Sequence, residues 1–124
     1  MKALGRHILA ELYGCDAAIL NDISQIERFM VDAALAAGAE VREVVFHKFS
    51  PQGVSGVVVI SESHLAIHTW PELSFAAADV FTCGDRVDPW KACRCLAEKL
   101  RTTRLDATEV QRGDINRLLA EKVS

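Results

Sequence analysis

The chain predicts an α+β fold, a mainly antiparallel sheet with two helices packed on one face. Three observations point there. Four strand-like runs follow one another between Glu40 and Thr82, and the connectors between them have hairpin length. An amphipathic helical stretch lies on each side of that block. The composition is that of one globular domain: 124 residues, 50% hydrophobic and 25% charged, with a net charge of -3. A chain of this length buries roughly two-thirds of the surface its unfolded form exposes, enough for one core and too little for two. We therefore expect a single domain over residues 1–124.

His7 to Leu12 alternates and reads as the first strand, ending at Tyr13-Gly14. Asp22 offers a helix N-cap with Gln25 three residues on; Ile23, Ile26, Met30 and Ala33 follow at helical spacing until Gly38 stops the run. Glu40 to Phe49, Val54 to Ile60, His64 to Trp70 and Phe75 to Thr82 are the four central strands. Pro51-Gln52-Gly53, Ser61-Glu62-Ser63 and Pro71-Glu72 separate them. Asp88-Pro89 pairs an N-cap with a proline at the first helical position, and Trp90, Cys93, Ala97 and Leu100 share one face of the second helix. Arg104 to Gln111 reads as the last strand and Asp114 to Val123 as a short terminal helix. Two helices cover one side of such a sheet, so a homodimer is the expected cover for the other.

Charge and hydropathy narrow the function classes. The chain lacks the basic excess that nucleic-acid binding needs, and no apolar run approaches the length of a membrane span. The start, Met-Lys-Ala-Leu-Gly-Arg-His, has no long apolar leader segment. Cytoplasmic placement, without membrane or nucleic-acid partners, is the expectation. Cys15, Cys83, Cys93 and Cys95 are too few and too irregular for a disulfide scaffold, and three of the four are expected to be packing residues.

The densest chemistry lies at Ser61 to Glu72, Ser-Glu-Ser-His-Leu-Ala-Ile-His-Thr-Trp-Pro-Glu, directly after the apolar run Val57 to Ile60. A serine hydroxyl can attack the preceding peptide carbonyl in an N-to-O acyl shift. The ester then eliminates when a base removes the serine α-proton, and the dehydroalanine hydrolyses to a pyruvoyl group. That sequence needs a polarised peptide, an oxyanion stabiliser and a positioned base. Glu62-Ser63 has such a setting; a plain polar hairpin turn is an equally open reading of these residues. His64 and His68 stand about 13 Å apart along a strand, too far to share one zinc ion, so no metal site is expected. Taken singly, each histidine fits a structural hydrogen-bonding role, Cys83 fits inert packing, Glu72 a solvated turn and Phe49 a core or edge aromatic.

With Phe49, Ser55, Gly53-Val54-Ser55-Gly56, Phe81-Thr82-Cys83-Gly84 and Val87-Asp88-Pro89-Trp90, this segment resembles the bacterial and archaeal S-adenosylmethionine decarboxylase proenzymes. The resemblance implies a two-layer α/β sandwich and cleavage between Glu62 and Ser63 into fragments 1–62 and 63–124, which stay associated. It implies that Ser63 becomes a pyruvoyl cofactor, with neither pyridoxal phosphate nor metal. His68 would be the processing base, Ser55 would stabilise the acyl-shift intermediate, and Cys83 would be the proton donor in decarboxylation. Phe49 would stack on adenine and Glu72 would bind the ribose hydroxyls. The implied product is the aminopropyl donor for spermidine and polyamine synthesis, and the implied functional unit a homodimer. The last 20 or so residues, a length typical of a terminal extension, carry nothing diagnostic.

Pyruvoyl-dependent decarboxylation of arginine or ornithine is the nearest alternative, since self-processing is independent of the side chain recognised. A non-enzymatic ligand-binding domain is the alternative of another class. A cysteine hydrolase built on Cys83 and His68 lacks an orienting partner.

Overall fold

A computed structural model describes residues 2–123. Six strands form one sheet in the order β2-β3-β4-β5-β1-β6: β1 (Ala3–Tyr13), β2 (Glu40–Lys48), β3 (Val54–Ser61), β4 (Ser63–Trp70), β5 (Phe75–Cys83) and β6 (Arg104–Asp114). Every neighbouring pair is antiparallel. The helices are α1 (Ala17–Leu20), α2 (Ile23–Ala36), α3 (Pro89–Lys99) and α4 (Ile115–Val123). The sheet and the two longer helices make the expected two-layer α+β arrangement.

Local chemistry explains the elements. Asp22 accepts from the Gln25 N–H at 3.1 Å and opens α2, and Asp88 accepts from the Trp90 N–H at 3.0 Å and opens α3 behind Pro89. The strands alternate as a half-buried sheet requires. Ile8, Ala10 and Leu12 of β1, Val58 of β3, Leu65 and Ile67 of β4, and Val80 of β5 point to the helices and are buried. They meet Ile26 and Met30 of α2 and Leu96 of α3 in one core. Trimming one of these large side chains to alanine costs about 2–5 kcal/mol.

Arg6 of β1 and Trp90 of α3 converge on Glu109 of β6 at the same layer boundary. The guanidinium donates twice, at 3.1 and 2.9 Å, and the indole N–H once, at 2.7 Å. This fork, chiefly the Arg6 hydrogen bonds, holds the Glu109 carboxyl well below the usual range, at about 2.

Three elements differ from the sequence expectation. β1 begins at Ala3 rather than His7: Gly5 interrupts the apolar alternation, yet its missing Cβ is what admits the Phe81 ring from β5. Helix α1 was not expected, because a single turn capped by Asp16 is too short to show periodicity. Strand β6 runs on to Asp114 beside Ala3.

The sheet's other face carries no helix α2 or α3. His7, Leu9 and Tyr13 of β1, Val57 and Val59 of β3, His68 and Trp70 of β4, and Asp79 of β5 lie on it. Leu9, Tyr13, Val57, Val59 and Trp70 are each more than a third exposed, a large apolar content for a surface facing water.

Candidate active site

The β3–β4 hairpin has one group of candidate site residues at each end. At its turn, Glu62 joins Ser61 of β3 to Ser63 of β4. The Glu62 carbonyl, the one a Ser63 hydroxyl would attack, accepts the Cys83 backbone N–H at 2.9 Å. A donor thus already sits where oxyanion charge would develop. The Ser63 hydroxyl is 3.2 Å from His64 Nδ1. A cavity of about 530 Å³ opens here, lined by Ser61, Glu62, Cys83, Gly84, Asp85, Arg86 and Val87.

At the open end of the same hairpin, Ser55 of β3 and His68 of β4 are directly opposite, and Ser55 Oγ lies 2.8 Å from His68 Nδ1. A second cleft of about 310 Å³ is lined by these two with Phe49, Gln52, Gly53, Thr69, Trp70 and Glu72. Glu72 sits in the 3₁₀ turn Pro71–Leu73 that follows β4. The Phe49 ring meets the His47 ring edge-on, with centroids 4.5 Å apart.

One chain does not bring the two ends together. Ser63 and His68 stand five positions apart in β4, about 17 Å at the usual rise, and an odd spacing sends their side chains to opposite faces. His68 is exposed on the uncovered face. Within the chain, Ser63, Glu62 and Cys83 form one group and Phe49, Ser55, His68 and Glu72 another.

Residues 6–113 match the S-adenosylmethionine decarboxylase family. The chain belongs to that family. Among curated relatives, it is 68% identical over 124 residues to the S-adenosylmethionine decarboxylase proenzyme of Clostridium tetani, spanning 100% of this chain and 98% of that one. It is 71% identical over 115 residues to the proenzyme of Moorella thermoacetica, spanning 93% and 92%. Among solved structures, the adenosylmethionine decarboxylase of Aquifex aeolicus superposes with a TM-score of 0.85 at 37% identity, covering 91% of this chain and 93% of that one. A monomer of the Trypanosoma brucei enzyme shares the fold, with a TM-score of 0.60 at 16% identity over 82% of this chain and 44% of that longer one.

For a decarboxylase-family site, the sequence reading missed the residues that shape the second cleft. The Phe49 N–H donates to the Gly53 carbonyl at 2.8 Å, and the Gly53 N–H donates to Asn21 Oδ1 at 3.0 Å. Buried Thr69 accepts the Val54 N–H at 2.9 Å and donates to the Leu20 carbonyl at 2.8 Å. These bonds tie the Phe49-bearing loop to α1. The signal was an asparagine in a loop and a threonine in an apolar strand, both of which have many other uses.

Burial pushes the thiols of Cys15, Cys93 and Cys95 up, as expected of packing residues. Among the described residues, no group of three or more His, Cys, Asp or Glu could hold a metal ion, and no helix is long and apolar enough to cross a membrane.

Proposed function

We propose that this chain cleaves itself between Glu62 and Ser63, carries a pyruvoyl group derived from Ser63, and decarboxylates S-adenosylmethionine for polyamine synthesis in the cytoplasm. The observation that carries the reading is the Cys83 N–H on the Glu62 carbonyl, beside a serine, in a member of this family. Ser63 Oγ attacks that carbonyl and the peptide nitrogen leaves, giving an ester. A base then takes the residue 63 α-proton, the Cβ–Oγ bond breaks, and Glu62 departs as a free carboxylate. Loss of ammonia from the resulting dehydroalanine on hydrolysis leaves the ketone.

The residues present fit that group: a serine at a strand start, a backbone donor on its target carbonyl, and a cavity alongside. When formed, the pyruvoyl group supplies an electrophilic ketone for the substrate's amine and a sink for the electrons released with carbon dioxide. Cys83, lining the same cavity, returns a proton to the substrate's α-carbon. Phe49 stacks on adenine and Glu72 accepts from the ribose hydroxyls.

The functional unit we propose is a homodimer in which His68, Ser55, Phe49 and Glu72 of one copy serve Ser63 and Cys83 of the other. Two observations support it. About 17 Å along β4 is too long for proton transfer from Ser63 to His68 of the same chain, and the uncovered face is apolar enough to seek a partner. Labelled carbon dioxide release from S-adenosylmethionine, arginine and ornithine in parallel tests the substrate. Faster release from either amino acid overturns the nucleoside assignment, and an intact chain without release from any of them overturns the enzyme.

A further inference from the structure

Thr82 is wholly buried, and its hydroxyl has no hydrogen-bond partner among the described residues. Such groups are uncommon, because a buried hydroxyl left unpaired is destabilising. Its location is specific. Thr82 of β5 stands directly opposite Ser63 of β4. The Cys83 N–H bond to the Glu62 carbonyl makes Glu62 and Cys83 a hydrogen-bonded pair, so by the alternation of antiparallel ladders Ser63 and Thr82 form the next, non-hydrogen-bonded pair. Side chains in such pairs approach most closely, with Cβ atoms about 4.5–5.5 Å apart and on the same face. A threonine hydroxyl there is within reach of the Ser63 side-chain oxygen once that oxygen turns from His64.

We propose that Thr82 is a further catalytic residue of self-processing, donating its hydroxyl to Ser63 Oγ as that oxygen leaves residue 63. The inference rests on the self-cleavage reading and assigns one step within it. In the elimination, the α-proton goes to the base, the Cβ–Oγ electron pair stays with Oγ, and the leaving group is the Glu62 carboxylate. One of its oxygens is the former carbonyl oxygen, held by the Cys83 N–H; the other is the former Ser63 Oγ, which receives the Thr82 proton in a hydrogen bond. Consecutive residues thereby hold both oxygens as the negative charge forms. A hydroxyl left unpaired in the precursor gains its partner in the transition state, so the interaction lowers the barrier without stabilising the uncleaved chain.

The test compares wild type with Thr82→Val and Thr82→Ser in the full chain, following cleavage by intact mass, ester by hydroxylamine sensitivity, and stability by thermal melting of uncleaved protein. Ser63→Ala backgrounds supply that uncleaved protein for each variant. Thr82→Val is expected to cleave about ten-fold more slowly or worse, the usual worth of a hydrogen bond to a charged oxygen. Hydroxylamine-sensitive ester should accumulate, melting should be unchanged or higher, and Thr82→Ser should restore the rate. Wild-type cleavage kinetics in Thr82→Val overturns the proposal. So does a stalled chain without ester, which places Thr82 before the acyl shift, or a lowered melting temperature, which makes the hydroxyl structural. Failure of the wild-type chain to cleave removes the self-cleavage reading itself, whereas failure of this inference shows only in the variants.

Discussion

On the reading we propose, the two ends of the β3–β4 hairpin hold complementary halves of one chemistry. At the turn, Ser63 follows a carbonyl that already holds a donor, and the nearest imidazole, that of His64, accepts from or donates to the serine oxygen itself. At the open end, His68 is paired with Ser55 beside an aromatic ring and a carboxylate. A strand separates its ends by its own length, so a hairpin cannot fold one onto the other. Two copies related by a twofold axis that runs across the strands can, because such an axis sets each end of one chain against the other end of its partner. The apolar, uncovered sheet face is the surface on which we propose they meet.

The largest expected effect is at the turn. Ser63→Ala should remain a single chain on a denaturing gel, while wild type separates into fragments 1–62 and 63–124. Cleavage of the alanine variant at the same bond would remove Ser63 as nucleophile. At the other end, His68→Ala should complete the acyl shift and stop, because the α-proton has no acceptor. Hydroxylamine would then split the stalled protein, and normal pyruvoyl formation at the usual rate would assign the base elsewhere. Glu72→Gln touches binding alone: self-cleavage should be complete, with catalytic efficiency toward S-adenosylmethionine lowered about ten-fold by loss of a charged hydrogen bond. A slowed cleavage in that variant would put Glu72 in the wrong half of the chemistry.

The smallest expected effect lies outside both ends and serves as their control. The Arg6 hydrogen bonds hold the Glu109 carboxyl at about 2, below its ordinary value of 4.5. Its folded pKa is depressed, so the stabilisation it gives is complete above about pH 4.5 and is lost as pH falls toward 2. Glu109→Gln should flatten the acid limb of thermal stability across that window and leave cleavage intact. An unchanged acid limb would show that the fork contributes nothing to stability.

The layer arrangement was legible because it is written locally. Caps at Asp22 and Asp88, and apolar spacing between them, need no tertiary context to be read. Strand order is different in kind. That β1 inserts between β5 and β6 depends on long-range pairing, which no local pattern announces. The site residues were recognisable as types from the resemblance, but their grouping was not. One signal of the division was present all the same: a spacing of five between Ser63 and His68 in an alternating strand already implies opposite faces and a long gap. Thr82 was invisible for the opposite reason. A threonine in an apolar strand looks ordinary until its hydroxyl proves to lack a partner among the described residues.

Co-expression of two inactive chains tests the shared-site account most directly. One carries Ser63→Ala and the other His68→Ala, with distinguishable tags, so that mixed dimers form. The account requires that the His68→Ala chain, whose Ser63 is intact, be cleaved by the histidine of its partner while the Ser63→Ala chain stays whole. Two whole chains, recovered from mixed dimers that do assemble, would contradict it.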